Sequence, residues 1–309
     1  MKDDSQPKVQ LYILSRNRPD FLKEAIDSVL NQNHSLIKFE IIISDNSEND
    51  DVQKMIDRDY AQKNLKYIRR DSNLSFEVHC QLVASELSAK YAVLFHDDDI
   101  LLPDYMETMS SFLNSNDIAA VGCNAMILKG DVLTSNRCMR NFSTSIKFDK
   151  EKDFLERYLP GNNGMAPLPG YMYRTKYLKQ AYLNMTIIGK HSDAVMLSSL
   201  LNYGEIVWLE KILMNYRVHS SNISVLEKVT DRLVAHQYMI KKGVEENSTN
   251  FILARITFWS RWILQQGRFL SNITRWRYRT VVLSILLRII KISMRPHFWK
   301  IIFLRFKNT

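Results

Sequence analysis

An apolar strand that runs into three consecutive aspartates constrains the fold of this chain more than any other feature of its sequence. Residues 91–95 are apolar and rich in β-forming side chains, and Asp97, Asp98 and Asp99 follow almost at once. An uninterrupted apolar run is typical of a strand buried on both faces in the middle of a parallel sheet. The aspartates should then lie at the carboxyl end of a central strand, where open α/β sheets bind their ligands.

Three adjacent carboxylates repel one another and need a cation if all three are ionised. Mg²⁺ and Mn²⁺ prefer carboxylate oxygens and commonly share them with substrate phosphates. The triplet therefore predicts a divalent-metal site at Asp97–Asp99. A solvated acidic turn at the end of a strand is the alternative, and the local sequence leaves both open.

Strands and helices alternate along the first part of the chain, which indicates βαβ units and an α/β fold with a mostly parallel sheet. Besides the strand that begins at 91, strands are predicted at 9–15, 39–44, 65–68 and 118–127, and helices at 19–31, 51–62, 76–89 and 104–113. Polar loops follow three strands, at 16–18, 45–47 and 97–99. Parallel neighbours would bring these three loops to one edge of the sheet.

The second part of the chain is less regular. Gly and Pro punctuate residues 128–175, which are predicted to be irregular, with 168–174 forming the edge of a pocket. A helix over 194–201 and a strand over 205–209 follow. Neither GxGxxG nor GxxxxGK[ST] occurs, so a dinucleotide fold or a P-loop enzyme is disfavoured. Phosphate charge would instead be met by the metal and by side chains such as Arg16 and Arg18.

Three further polar residues each have two interpretations. Asp193 precedes a predicted helix, where it either caps the helix or serves as a general base. His219 is either a structural histidine or a neutral imidazole that completes a metal site. Asp45 either caps a turn or accepts a hydrogen bond from a nucleobase N–H. None of these residues identifies a function alone, but the order in which the motifs occur along the chain is specific.

That order resembles the family 2 glycosyltransferases, which have the GT-A fold, a Rossmann-like α/β fold. The matching pieces are residues 15–32, 43–47, 95–104, 191–193 with the helix that follows, and 216–224, and together they span about residues 8–225. The chain departs from the family pattern in two places. A single acid, Asp193, stands where an acidic pair is common, and Asn73-Leu74-Ser75 replaces a glycine after the third strand.

The resemblance implies a role for each matching residue. Nucleotide-sugar contacts are implied for Ser15, Arg16, Asn17, Arg18, Asp45, Asp97, Asp98 and Arg217, with Asp45 at the base. A DxD-type metal element is implied for Asp97, Asp98 and Asp99, with His219 approaching the Mn²⁺ or Mg²⁺ ion or the diphosphate. Asp193 matches the catalytic base. The donor is expected to be a UDP-sugar, with a dTDP-sugar as second choice.

The implied activity is that of an inverting, hexosyl-type glycosyltransferase. It would move a sugar from a nucleoside-diphosphate donor to a hydroxyl of a saccharide acceptor, lipid-linked in the favoured version. Surface-polysaccharide synthesis, of O-antigen or capsule, is the expected pathway. The rival is a non-catalytic protein of the same fold that binds nucleotide-sugars or acts as a scaffold.

A change in charge and pattern separates residues 1–225, the expected catalytic domain, from a helical extension over 226–309. Residues 247–309 carry 12 basic and no acidic side chains, which leaves 30 basic and 33 acidic side chains in residues 1–246. Four of the five tryptophans and a polar stripe on an apolar helix over 277–295 also lie there. A basic amphipathic helix of this kind fits an anionic membrane surface. Packing on the catalytic domain or in a homodimer is the alternative.

The expected location is the cytoplasm, at the inner face of the cell membrane. Three cysteines without a CxxC spacing favour reduced thiols, and the polar, acidic start of the chain is unlike a signal peptide. No apolar run reaches the roughly 18 residues that span a bilayer. We expect no nucleic-acid partner, because such a partner would leave the wide apolar face of the extension unexplained.

Overall fold

The computed structural model describes residues 8–33, 37–114, 117–140, 142–159, 164–185, 188–219, 229–252 and 254–256. Four parallel strands form one half of its sheet, in the order β3-β2-β1-β4. They are β1 (Val9–Ser15), β2 (Phe39–Asp45), β3 (Leu65–Arg69) and β4 (Tyr91–His96). The helices α1 (Pro19–Leu30), α2 (Asp51–Asp59) and α3 (Phe76–Glu86) connect them. The predicted βαβ half of the fold is confirmed, with strand and helix ends shifted by a few residues at most.

Helix α1 shows why these segments form as predicted. Pro19 occupies the first turn, where a missing N–H costs nothing, and Leu22, Ala25, Ile26 and Val29 recur at helical spacing. All four of these side chains are buried against the sheet core. Because α1 and β1 are both packed in the core, the loop that joins them, residues 16–18, is held beside the end of β4.

The other half of the sheet mixes directions. Its elements are β5 (Ile100–Leu101), α4 (Tyr105–Phe112), β6 (Ile118–Lys129), β7 (Val132–Arg137), β8 (Ile146–Phe148), α5 (Glu151–Tyr158), β9 (Tyr171–Arg174), α6 (Thr175–Leu183), α7 (Ser192–Ser199), β10 (Glu205–Val218) and α8 (Val229–Lys241). Strand β9 lies antiparallel between β4 and β6, and β6 pairs in parallel with the long β10. Strand β4 is therefore an interior strand, as the sequence predicts.

The prediction that residues 128–175 are irregular is wrong. This segment contains β7, β8, α5 and β9, of which α5 buries Phe154, Leu155 and Tyr158 along one face. The expected pocket edge at 168–174 is also wrong, because residues 168–170 make one 3-10 turn and Tyr171–Arg174 is a buried central strand. A charged residue can end such a strand because the Arg174 guanidinium donates to two backbone carbonyls, those of Ile118 and Leu113.

The chain divides into two compact units, Met1–Val244 and Glu245–Thr309. Helix α8 belongs to the first unit. An ion pair between Lys242 and Glu151 (2.8 Å) and the contact between the Tyr238 and Ser198 hydroxyls (3.2 Å) connect the end of α8 to α5 and α7. The expected boundary after residue 225 stays a prediction. No helix among the described residues is long and apolar enough to cross a membrane. The predicted amphipathic helix at 277–295 lies outside the described residues.

Candidate active site

The three polar loops that the sequence predicts at one sheet edge do meet there. The backbone N–H of Arg16 donates to the Asp97 carboxylate (3.1 Å), which joins the first loop to the third. The backbone N–H of Asn17, a residue with φ +57°, donates to the Ser47 hydroxyl (2.7 Å), which joins the first loop to the second. Ser15 is buried at the end of β1, where its carbonyl accepts a hydrogen bond from the Asn46 N–H (3.0 Å).

Arg18 pairs with the first two aspartates of the triplet. Its guanidinium donates to both oxygens of Asp97, at 2.5 and 3.4 Å, and to Asp98 Oδ2 at 2.9 Å. The two carboxylates are buried, whereas the Arg18 side chain is 30% exposed. Arg18 therefore offsets part of the negative charge of the acidic loop, and its side chain remains accessible to a ligand at the sheet edge.

Asp98 and Asp99, together with His96, form a group that suits a divalent cation. Ligand atoms of His96, Asp98 and Asp99 all lie within 4.8 Å of one another. Asp99 Oδ1 accepts a hydrogen bond from the Arg217 N–H (2.8 Å), but its buried Oδ2 has no hydrogen-bond partner among the residues that the structure describes. His219 Nε2 lies 2.8 Å from Asp98 Oδ2 and places a second imidazole beside the group. An orphaned carboxylate oxygen among hard oxygen donors and imidazoles fits Mn²⁺ or Mg²⁺.

The pKa values of the residues in the acidic loop also fit a metal site. Burial raises the pKa of Asp97 to about 7 against the opposing charge of Arg18, and burial together with the charge of Asp98 raises the pKa of Asp99 well above its usual range. Burial also acts on Asp98, but the charge of Arg18 and the hydrogen bond from His219 oppose it, and the pKa of Asp98 is lowered. Burial lowers the pKa of His96, which favours the neutral imidazole that binds metals. Without a cation, the loop therefore holds protons that a bound metal would displace.

Arg217 is placed differently from a free phosphate-binding arginine. Only 1% of its side chain is exposed, and its guanidinium donates to the carbonyls of Asp98 and Gly130 (2.9 Å each) and pairs with Glu24 (2.5 Å) and Asp131 (2.8 Å). These contacts connect the acidic loop to α1 and to the turn between β6 and β7. The structure gives Arg217 a role in holding the loop, and its predicted contact with the donor stays a prediction.

Replacing Arg217 by Met is expected to lower the free energy of unfolding by about 2–4 kcal/mol, because buried carbonyls lose their donors and two acids lose their cation. Arg16→Met is the matched control. Arg16 pairs with Glu48 at 3.1 Å on the surface, where both side chains are about half exposed or more, so its loss should cost about 1 kcal/mol or less. Urea denaturation of both variants measures the difference. Equal losses would mean that the Arg217 contacts contribute no more than a surface ion pair.

Asp45 is fully buried, and both of its oxygens are already engaged. Oδ1 accepts hydrogen bonds from the N–H and the hydroxyl of Ser47, and Oδ2 accepts one from Tyr67 (2.7 Å) and lies 3.4 Å from Arg69. A nucleobase could bind this carboxylate only by replacing one of these donors. The contact between Asp45 and the base that the resemblance implies remains a prediction.

Asp193 lies in the first turn of α7. Its Oδ1 accepts a hydrogen bond from the Ala194 N–H (2.8 Å), and its Oδ2 accepts one from the Tyr158 hydroxyl (2.6 Å). Tyr216 links the two acidic regions electrostatically, because burial and the charges of Asp99, Asp98 and Asp193 all raise its pKa. Asp193 and the acidic loop therefore both lie within electrostatic range of Tyr216.

Two residues of this region were missed from sequence. His96 ends β4 directly before the triplet, and its position next to three acids is a usable sequence signal for a metal ligand. Tyr158 lies in the segment that was predicted to be irregular, and no local pattern connects it to Asp193, 35 positions away.

Comparisons with known proteins agree with this arrangement. A family model described as glycosyl transferase family 2 matches residues 11–181, more than half of the chain. An uncharacterised glycosyltransferase of Methanocaldococcus jannaschii is 22% identical over 264 residues, which are 82% of this chain and 87% of that protein. The abequosyltransferase RfbV of Salmonella typhimurium is 29% identical over 109 residues, 35% of this chain and 33% of that protein.

Two solved structures share the fold. S. aureus TarS in complex with UDP-GlcNAc superposes with a TM-score of 0.58 at 13% identity, over 77% of this chain and 68% of that one. The mannosyltransferase PcManGT of Pyrobaculum calidifontis, in complex with GDP-Man and Mn²⁺, gives a TM-score of 0.54 at 11% identity, over 92% and 86%. The mixed sheet flanked by helices is therefore a GT-A fold.

The chain belongs to glycosyltransferase family 2, as its motifs predict. It is accordingly a glycosyltransferase, and not the non-catalytic protein of the same fold that the sequence left as a rival.

Proposed function

We propose that this enzyme transfers a sugar, with inversion, from a nucleoside diphosphate to a hydroxyl of a saccharide acceptor, with Asp193 as general base and a divalent metal at the acidic loop. The observation that carries the proposal is the buried, unpartnered Oδ2 of Asp99 beside Asp98 and His96. A buried carboxylate oxygen without a donor needs an explanation, and a cation shared with a diphosphate supplies one. The solved neighbours that bind UDP-GlcNAc and GDP-Man support this class of donor.

The chain's own residues can divide the chemistry between them. Asp193 removes the proton from the acceptor hydroxyl, and the acceptor oxygen forms a bond to the anomeric carbon from the face opposite the diphosphate. The bond between that carbon and the diphosphate oxygen breaks, and its electron pair leaves with the nucleoside diphosphate. Arg18, partly exposed beside Asp97, is placed to stabilise that growing negative charge. Asp98, Asp99, His96 and His219 would hold the metal, which supplies Lewis-acid stabilisation of the leaving group.

A donor screen tests the proposal with the full chain. The protein is incubated with Mn²⁺ and with UDP-, dTDP- and GDP-sugars, and thermal shift identifies the donor that binds. Release of the nucleoside diphosphate is then measured with saccharide and lipid-linked saccharide acceptors, and NMR gives the anomeric configuration of the product. We expect a UDP-sugar to bind and an inverted product to form. A retained configuration would overturn the single-displacement mechanism.

We further propose a lipid-linked acceptor of surface-polysaccharide synthesis, with the enzyme held at the inner face of the membrane by residues 247–309. The support is the charge of that segment, which has 12 basic and no acidic side chains, and the likeness to an abequosyltransferase. The full chain should pellet with vesicles that contain anionic lipid but not with neutral vesicles, and about 1 M salt should release it. Equal pelleting with both kinds of vesicle would contradict this anchoring.

A further inference from the structure

The carboxylate of Asp193 is held by two hydrogen bonds from different elements. The Ala194 N–H, in the same helix, donates to Oδ1, and the Tyr158 hydroxyl, at the end of α5, donates to Oδ2 at 2.6 Å. The first bond is local to α7. The second is the one that fixes the carboxylate relative to the rest of the domain, because it joins α7 to α5.

Tyr158 is itself immobilised by an aromatic cluster. Only 4% of the residue is exposed, and its ring stacks on Phe154 with centroids 5.3 Å apart and lies 6.3 Å from Trp208. Trp208 is anchored in turn, since its indole N–H donates to the Tyr171 hydroxyl (2.5 Å). The Tyr158 hydroxyl is thus presented to Asp193 by a rigid, buried ring. Burial, with the charge of Asp193, raises the pKa of Tyr158 well above its usual range, so the phenol remains a donor.

Tyr158 differs from the other groups around Asp193 because its hydroxyl donates a hydrogen bond to the carboxylate. Among the described residues, the tyrosines within electrostatic range of Asp193 come from α5, β9, α6 and β10. They are Tyr158, Tyr171, Tyr173, Tyr182 and Tyr216. Burial raises the pKa of each of them, so all are neutral at physiological pH. Lys190 and His191 lie in the turn that precedes α7. Of the tyrosines, Tyr158 is the one whose hydroxyl donates to the carboxylate.

We propose that Tyr158 is a positioning residue for sugar transfer: its hydroxyl orients the Asp193 carboxylate toward the acceptor. The proposal rests on the proposed role of Asp193 as general base. A base fixed in one orientation meets the acceptor proton without a search through rotamers. The alternative is that the pair only ties α5 to α7.

Tyr158→Phe keeps the ring and removes the hydroxyl. We expect kcat to fall about tenfold to a hundredfold while the KM for the donor changes less than about twofold, because Asp193 is proposed to act on the acceptor. A purely structural link would not separate kcat from KM in this way.

Tyr60→Phe is the matched control. Tyr60 is equally buried and donates to Asp27 at 2.7 Å, so it makes the same kind of hydrogen bond, between the end of α2 and helix α1. This variant should lose stability to a similar degree in thermal melts, with kcat unchanged. If the kcat of Tyr158→Phe falls no further than that of Tyr60→Phe, or if the KM for the donor rises as much as kcat falls, the positioning role is refuted.

Asp193→Asn separates failure of this inference from failure of the proposed base. If Asp193→Asn is inactive and Tyr158→Phe behaves like wild type, only the role of Tyr158 is lost. If Asp193→Asn remains active, the base assignment fails and the role of Tyr158 fails with it. In the Asp193→Asn background, Tyr158→Phe should cause no further loss of transfer, because the two residues act as one unit.

Discussion

Asp193→Asn is expected to lower the rate of sugar transfer by about 10²- to 10⁴-fold, the range that a general base contributes. The amide has nearly the shape of the carboxylate: its oxygen can still accept the hydrogen bond from the Ala194 N–H, and its NH2 can donate to the Tyr158 oxygen, so the fold should be retained. It cannot take up the proton of the acceptor hydroxyl. Affinity for the nucleoside diphosphate should stay within about twofold, because the acidic loop and Arg18 are unchanged.

Single-turnover transfer and calorimetric titration with the nucleoside diphosphate measure the two quantities separately. Asp153→Asn is the matched control, since Asp153 is an exposed aspartate in the first turn of α5. That variant should transfer sugar at the wild-type rate. An Asp193→Asn enzyme with more than about a tenth of wild-type turnover would remove the residue from the role of base, whatever its effect on binding.

The sequence was most informative where structure depends on local pattern. Strand β1 was predicted with its observed ends, and α1 within one residue, because a β-rich apolar run and a proline followed by helically spaced apolar residues each determine their own element. The meeting of the loops at 16–18, 45–47 and 97–99 followed from parallel order alone. The family assignment depended on the same motifs.

The sequence was least informative where structure depends on pairing across the chain. Strand β9 is inserted between β4 and β6, and its four residues carry no local sign of their two partner strands. The extent of β10 was missed for the same reason, since five residues were predicted and the strand has fourteen, held by pairing with β6 and β8.

The positive charge of an arginine also did not by itself predict whether the side chain is accessible to the donor. Arg18 and Arg217 are both arginines near the acidic triplet, and each was predicted to contact the donor. The structure separates them by burial, since the Arg18 side chain is 30% exposed and that of Arg217 is 1% exposed. Burial depends on the turn between β6 and β7 and on α1, which lie far from residue 217 in sequence.

Asp99→Asn is expected to weaken Mn²⁺ binding by at least about 100-fold, because loss of an outer-shell partner alone commonly weakens metal binding by 10- to 100-fold. Asn keeps the shape of the side chain and can accept the hydrogen bond from the Arg217 N–H, but it removes the charge and one of the two oxygens. Nucleoside diphosphate should then bind the variant equally with and without Mn²⁺. Electron paramagnetic resonance of free Mn²⁺ and calorimetry measure these affinities.

The pH dependence of the same titration gives a second test of the site. The pKa of Asp99, a proposed ligand, is raised well above its usual range, and that of Asp97, beside the site, is raised to about 7, so a cation binds best when both carboxylates are ionised. Affinity for Mn²⁺ in the wild-type protein should therefore increase from pH 6 to pH 8 and fall as the pH drops through 7. Asp104→Asn, at an exposed aspartate five positions along the chain, should reproduce the wild-type curve. If Asp99→Asn also reproduces that curve, the oxygen at residue 99 does not bind the metal, and the unpartnered Oδ2 needs another explanation.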